Sequence, residues 1–240
     1  MNDSNEADLI QVNTVIIFTK RFPYGHQETY LHNELSYLSK EFAKVIIIPY
    51  DEFSYKDEDC REIKYENIEV FKINKEVKPL TFFQKVLAIV FAIKILVFEV
   101  VKGREAKNHL KFFKRNFSQL LHSYACAVSL KKQMLSQKLN NVLLYNYWLH
   151  GGVIISNMLN TVLNKSYPII SRAHAYDVYH KDWYTLFPDS EYLFLGFETY
   201  KINHTDKIYP ISTHAYNHFA TLFPKYIDKF EIARLGVKMI

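Results

Sequence analysis

The sequence predicts an α/β fold: an open parallel sheet with helices on both faces. Short apolar runs rich in β-branched residues recur between positions 12 and 237, and helical periodicity separates most of them. Successive runs also lie at the spacing that a right-handed crossover between parallel strands requires.

The elements can be justified in chain order. Residues 12–20, "VNTVIIFTK", form a first strand, and the loop "RFPYGHQ" follows. In "ETYLHNELSYLSKEF" the apolar positions Tyr30, Leu31, Leu35 and Leu38 recur at helical spacing. "KVIIIPY" (44–50) is the second strand and "IEVFKI" (68–73) the third. Residues 80–138 read as two long helices, the first apolar and the second basic. "NVLLYNYW" (141–148), "PIISRAH" (168–174), "KIYPIS" (207–212) and "FEIARLG" (230–236) complete the strand set. The pattern over 12–237 is that of one Rossmann-like domain, preceded by a polar tail at 1–11.

Composition narrows the class. A chain of 240 residues, 49% hydrophobic and 23% charged, is long enough to bury a substantial core. The net charge of +5 is too mild to argue for nucleic acid by itself. Cys60 and Cys126 have no C-x-x-C spacing, so the sequence offers neither a disulfide framework nor a zinc signature and fits a reducing, cytoplasmic compartment. The start "MNDSNEADLIQ" lacks the charged-then-apolar form of a secretory leader, and the expectation is a chain that is not exported.

In open α/β sheets ligands sit at the carboxyl ends of strands. That rule singles out "PYGHQET", "WLHGG" and "RAHAYD", which should converge. The first carries Gly25 alone where a dinucleotide fold needs G-x-G-x-x-G, and no P-loop run occurs. Gly25 either supplies a tight turn or lets the backbone approach a ligand, with the following helix N-terminus offering amides to a phosphate. Glu28 and Thr29 either favour the first helical turn or share in that site. Gly151 and Gly152 repeat the alternative at the next strand end, close helix packing against ligand approach.

The third loop is the most polar. Arg172, His174, Tyr176, Asp177, Tyr179 and His180 crowd the end of an apolar strand. His174, Asp177 and His180 lie at i, i+3 and i+6, which on a helix points the third away from the others, so no metal site is predicted. No G-x-S-x-G elbow occurs, which disfavours a serine hydrolase. The choice left is a hydrogen-bonding site for a polyhydroxylated or phosphorylated ligand, or a structural network in which Arg172 pairs with Asp177.

The middle segment suggests a surface. Residues 80–101 carry only Lys85, Lys94 and Glu99 as charges, and the uncharged run 86–93 is far too short to span a bilayer. Lys102, Arg104, Lys107, Lys111, Lys114 and Arg115 follow, with Phe112, Phe113 and Phe117. An apolar helix followed by a basic, aromatic one is how a peripheral protein lies on an anionic membrane; the alternative is a core helix with a solvated charged face. No nucleic-acid module accompanies the patch.

Five segments in register carry a family resemblance: "FTKRFPYGHQETYLHNELSYLSKEFAKVIIIP", "YNYW", "ISRAHAYDVY", "KIYPIS" and "ARLGV". In order and spacing they resemble the N-terminal domain of family-four glycosyltransferases of the GT-B fold, of the bacterial exopolysaccharide, colanic-acid or lipopolysaccharide type. The likeness runs from 12 to 237 and is weakest in the middle. It implies one half of a GT-B fold, in which an acceptor-binding domain faces a nucleotide-sugar-binding domain across a cleft. It further implies retention of anomeric configuration, no metal or other cofactor, and a nucleotide-sugar as co-substrate. By resemblance the Gly25 loop faces donor phosphates or acceptor, His174 matches the histidine at the reaction centre, and Asp177 matches the aspartate beside it. Ser212 matches the start of a helix directed at the cleft, though an N-cap is its simpler role. Gly25, Glu28, Gly151, Arg172, Tyr176 and Ser212 are then the substrate-binding candidates.

The family's donor domain, with its E-x7-E motif, would begin just beyond "ARLGVKMI". The expectation is therefore a fragment, a truncated product or half of a two-chain enzyme that needs a donor-binding domain in cis or in trans. Its acceptor would be a glycan or a lipid-linked saccharide at the inner face of the membrane, with no nucleic-acid partner. The competing expectation is a non-catalytic remnant that binds a membrane or a partner protein.

Overall fold

The computed structural model describes residues 12–26, 28–50, 60–73, 77–102, 109–175, 177–178 and 196–235, except for the side chains at 109–113, 115 and 116. Six strands form one all-parallel open sheet in the order β3-β2-β1-β4-β5-β6. The strands are β1 (Thr14–Thr19), β2 (Lys44–Pro49), β3 (Ile68–Val70), β4 (Val142–Asn146), β5 (Ile169–Ala173) and β6 (Lys207–Pro210). The helices are α1 (Thr29–Glu41), α2 (Phe82–Lys102), α3 (His109–Ser136), α4 (Gly151–Leu163), α5 (Glu198–Asn203) and α6 (Thr213–Leu222), followed by a 3-10 helix at Pro224–Lys229. The α/β, Rossmann-like reading holds.

Side-chain alternation puts helices on both faces. Val15, Ile17, Val45, Ile47 and Tyr145 point to one face and pack on Leu31 and Leu35 of α1. Ile16, Phe18, Ile46, Ile48 and Leu144 point to the other and pack under α2, α3 and α4. Because both faces are covered, β1 and β2 are apolar runs rather than alternating ones. A third cluster joins Ala173, Ile208, Phe219, Phe223 and Phe230 around α6.

One predicted strand is corrected. Phe230 makes a single parallel bridge to Ile208, and residues 231–235 form no strand. Glu231 and Ala233 donate to the carbonyls of Ile208 and Pro210, so the segment does run beside β6. Pro210 presents that carbonyl but has no N–H to return, which removes the rung needed to extend the ladder.

The alternative of a core helix with a solvated charged face holds for one side of the segment 80–101. Ala88, Ala92, Ile95 and Glu99 of α2 are buried, and a row of large apolar residues on the same helix faces outward. Among the described residues, no helix is long and apolar enough to cross a membrane.

Glu99 fastens this helix. Its Oε1 accepts from Tyr200 N at 2.6 Å in the first turn of α5, where the helix end favours a carboxylate. Burial pushes its pKa from 4.5 up to about 7, against the pull of that hydrogen bond, with Glu198 adding repulsion and Lys201 opposing it. The folded state therefore holds the proton more tightly than the unfolded chain, and ionised Glu99 costs stability as pH rises from 4.5 to about 7. Glu99→Gln keeps an acceptor for Tyr200 without the charge. The variant is expected to match the parent at pH 4.5 and to exceed it above pH 7 by up to about 3 kcal/mol, read from urea unfolding at each pH. A difference that does not vary with pH would refute the assignment.

Candidate functional site

The order β3-β2-β1-β4-β5-β6 has its switch point between β1 and β4, where the carboxyl ends of strands diverge to opposite crossovers. The loops after β1, β4 and β5 converge there, as the sequence rule expected. Glu28 and Trp148 join the first two loops, and Trp148 and His174 join the second and third.

Glu28 closes the β1 loop. Its Oε1 accepts from Lys20 N at 2.8 Å, and its Oε2 accepts from Arg21 N at 2.8 Å and Phe22 N at 2.7 Å. Trp148 Nε1 adds a fourth bond to Oε1 at 2.6 Å. Three consecutive amides of this kind form a concave anion site, and here the chain's own carboxylate fills it. The backbone bends sharply to deliver it: Glu28 sits at φ 58°, ψ 35°, in the left-handed region that non-glycine residues avoid. Glu28 thus neither caps α1 with its side chain nor presents a free carboxylate to solvent.

Gly25 lies in the same loop at φ +64°, with open space where a Cβ would point. The turn, not close approach, calls for glycine there. Its carbonyl accepts from Arg61 Nε at 3.0 Å and Nη2 at 2.6 Å, while the guanidinium lies 5.1 Å from the Phe22 ring centre. At the β4 end, Gly151 and Gly152 are both buried at the start of α4, and Gly152 is the constrained one. A Cβ on it would lie 2.6 Å from Asn146 Oδ1 and 2.8 Å from Phe18 Cβ, so the glycine permits close packing of helix on sheet.

His174 is the distinctive atom set. Its ring is buried against Trp148, with centroids 4.3 Å apart, and Tyr147, at 5.0 Å. Burial, then the nearby Arg172 charge, push its pKa from 6.5 down to about 4, opposed by a hydrogen bond to the backbone of Tyr147. The imidazole is neutral at pH 7, and its Nε2 is buried with no hydrogen-bond partner among the described residues. With the other nitrogen donating to the Tyr147 carbonyl, Nε2 is a bare acceptor. Such a group accepts a hydrogen bond from a ligand hydroxyl; it is a poor proton donor at neutral pH. Because the folded pKa is depressed, its stabilising share is complete above pH 6.5 and is lost as pH falls toward about 4.

Asp177 and Arg172 have structural partners. Asp177 Oδ2 accepts from His174 N at 2.8 Å while Asp177 N donates to His174 O at 3.0 Å, a reciprocal pair of the capping-box kind that starts a helical turn and orients His174. The Arg172–Asp177 pair weighed from sequence is replaced by another. Arg172 binds Glu34 Oε1 at 2.8 Å through Nη2, Tyr145 Oη at 2.7 Å through Nε, and Ala233 O at 3.0 Å through Nη1. Tyr145 in turn donates to Glu34 Oε2 at 3.1 Å, closing a network between β4, β5 and α1. The spacing of Arg172 and Asp177 suggested a local pair, but the strand carries Arg172 toward α1 while Asp177 is held back on the His174 amide.

Ser212 is the N-cap of α6, its Oγ accepting from Ala215 N at 3.1 Å. Tyr176, Tyr179 and His180 lie outside the described residues. Of the basic cluster, Lys102 and Lys114 are exposed, Arg104 and Lys107 lie outside the described residues, and the side chains of Lys111 and Arg115 are likewise not described. Among the described residues no group of three or more His, Cys, Asp or Glu is placed to hold a metal ion.

Sequence reasoning gave no role to Tyr147, Trp148, Glu34 or Arg61, although Trp148 opens the "WLHGG" loop that it singled out. The first two had a usable signal, since "YNYW" ends a strand where ligands gather. Glu34 and Arg61 are joined to the site only by folding and left no local trace. No protein-family model matches the chain, and no curated protein matches it.

Proposed function

We propose that the chain is the acceptor-side half of a retaining hexosyltransferase. It would move a sugar from a nucleotide-sugar to a growing surface glycan or a lipid-linked acceptor. The observation that carries this reading is the buried Nε2 of His174, without a partner among the described residues, at the meeting point of three strand-end loops. A sugar hydroxyl is the complement of that atom, a donor for a neutral acceptor that solvent does not satisfy. The five-segment resemblance to family-four GT-B enzymes points the same way. On this reading a second Rossmann-like domain, in cis or in trans, holds the nucleotide-sugar, and no resident cofactor is used. Its place is the cytoplasmic face of the membrane.

Saturation-transfer NMR of the purified chain with neutral oligosaccharides and detergent-solubilised glycolipids tests the reading. Binding is expected, weakened at least tenfold by His174→Ala, about 1.4 kcal/mol, and unchanged by His214→Ala on the exposed start of α6. A chain that binds no saccharide at millimolar concentration would sink it.

A second reading, the non-catalytic membrane- or partner-binding remnant, is favoured by one observation. Glu28 already occupies the amides that would otherwise receive a ligand's phosphate. It predicts no saccharide binding and intact surface binding.

A further inference from the structure

We infer that the outward face of α2 is a docking surface for an anionic phospholipid bilayer, with the helix lying in the plane of the headgroups. The inference deepens the membrane location proposed above, but it stands on α2 and the groove beside it and holds whether or not the chain handles sugars.

Phe82, Val86, Ile89, Ile93, Val97 and Val100 fall at helical spacing along α2 and form one continuous stripe. All six are exposed, Phe82 by 84% and Val97 by 52%, whereas the opposite side of the helix is the one that packs on the core. A stripe of this length on a folded chain is a liability unless something covers it. Lys85 and Lys94 flank it, and with Lys102 they are the exposed charges of α2, all positive; the one acid, Glu99, is buried against α5. Lysines beside an apolar stripe sink their methylenes into the hydrocarbon boundary while the ammonium groups meet lipid phosphates.

The stripe borders a groove of about 560 Å³ between α2, α3 and α4. Leu87, Val90, Phe91 and Val128 line its apolar part, and Lys94 and Lys132 stand at its rim. That is the pattern of an amphiphile: room for an acyl chain beside cations for its phosphate. Charge argues against a second copy of the chain as occupant, because α2 packed on itself would bring lysine rows together with no acid between them.

The test is flotation of the full chain with vesicles of phosphatidylglycerol and phosphatidylcholine (1:3), against phosphatidylcholine alone. Binding is expected to the anionic vesicles, at least tenfold tighter than to neutral ones, and to weaken with added salt. The exposed triple change Val86→Ser, Ile93→Ser, Val97→Ser should abolish flotation while leaving the melting temperature within a few degrees. Lys85→Glu with Lys94→Glu should weaken binding about tenfold. Phe83→Trp, also exposed, should shift its emission to the blue on adding anionic vesicles. A folded chain that fails to float at low salt overturns the inference. So does a dimer dissolved by the serine changes in a chain that ignores vesicles, which would assign the stripe to self-association. Loss of saccharide binding with flotation intact would overturn the transferase reading and leave this one standing.

Discussion

Glu28→Ala is expected to destabilise the chain by about 3 kcal/mol, the largest effect of any single polar substitution at the site. The substitution removes the acceptor of four donors at once: the amides of Lys20, Arg21 and Phe22 and the indole of Trp148. Hydrogen bonds to a charged group are worth more than neutral ones, and the Phe22 N–H, the buried donor of the four, loses its carboxylate at a desolvation cost. Alanine also keeps the left-handed backbone at φ 58° without the bonds that hold it there. In a domain of this size the loss lowers the melting temperature by roughly 6–12 °C. Glu28→Gln tests the account more finely. It retains one oxygen but turns an NH₂ toward a backbone N–H, so its midpoint in urea should fall between those of alanine and the parent. An alanine variant as stable as the parent would show that water replaces the carboxylate and that the loop does not depend on it.

Gly152→Ala is the second large effect and acts through volume. The added Cβ meets Asn146 Oδ1 at 2.6 Å and Phe18 Cβ at 2.8 Å, and the Tyr50 ring at 3.3 Å. Phe18 is a strand residue fully buried in the core, and Asn146 is held by Ser156 and the carbonyl of Ile170, so neither is the loose end of a flexible chain. Overpacking of this kind costs about 1–3 kcal/mol, and the gain in helix propensity at the second residue of α4 is too small to offset it. Calorimetry should show a fall of about 4–10 °C. Gly25→Ala is the informative contrast: its Cβ meets nothing, and only φ +64° opposes it, a cost of about 1 kcal/mol. If Gly25 proves the more sensitive, close packing is not what holds Gly152.

The two glycine cases show how the candidate site was read from sequence and where that reading ended. Both were singled out because glycines at strand ends serve either turns or close approach, and a sequence does not distinguish a torsion from a contact. The structure assigns the torsion to Gly25 and the contact to Gly152. Ser212 needed no such arbitration, since an N-cap is a local device and its partner Ala215 lies three residues on. Asp177 was identified for its proximity to His174, and that proximity is real, but it is a bond to the histidine's amide rather than to its ring.

By itself the sequence determined six strands of the sheet and its long helices, because short apolar runs rich in β-branched residues and 3.6-period helices are written locally, residue by residue. It also determined which loops could matter, since the carboxyl ends of parallel strands follow from the strand order. Only the tertiary structure decided what those loops do. Glu28 reaches Trp148 across 120 positions, Arg172 finds Glu34 rather than Asp177, and the stripe on α2 stays outside while Ala88, Ala92 and Ile95 go in. Each of these is a choice among partners far apart in the chain. Burial and geometry settle such choices, and neither is encoded in any short stretch of residues.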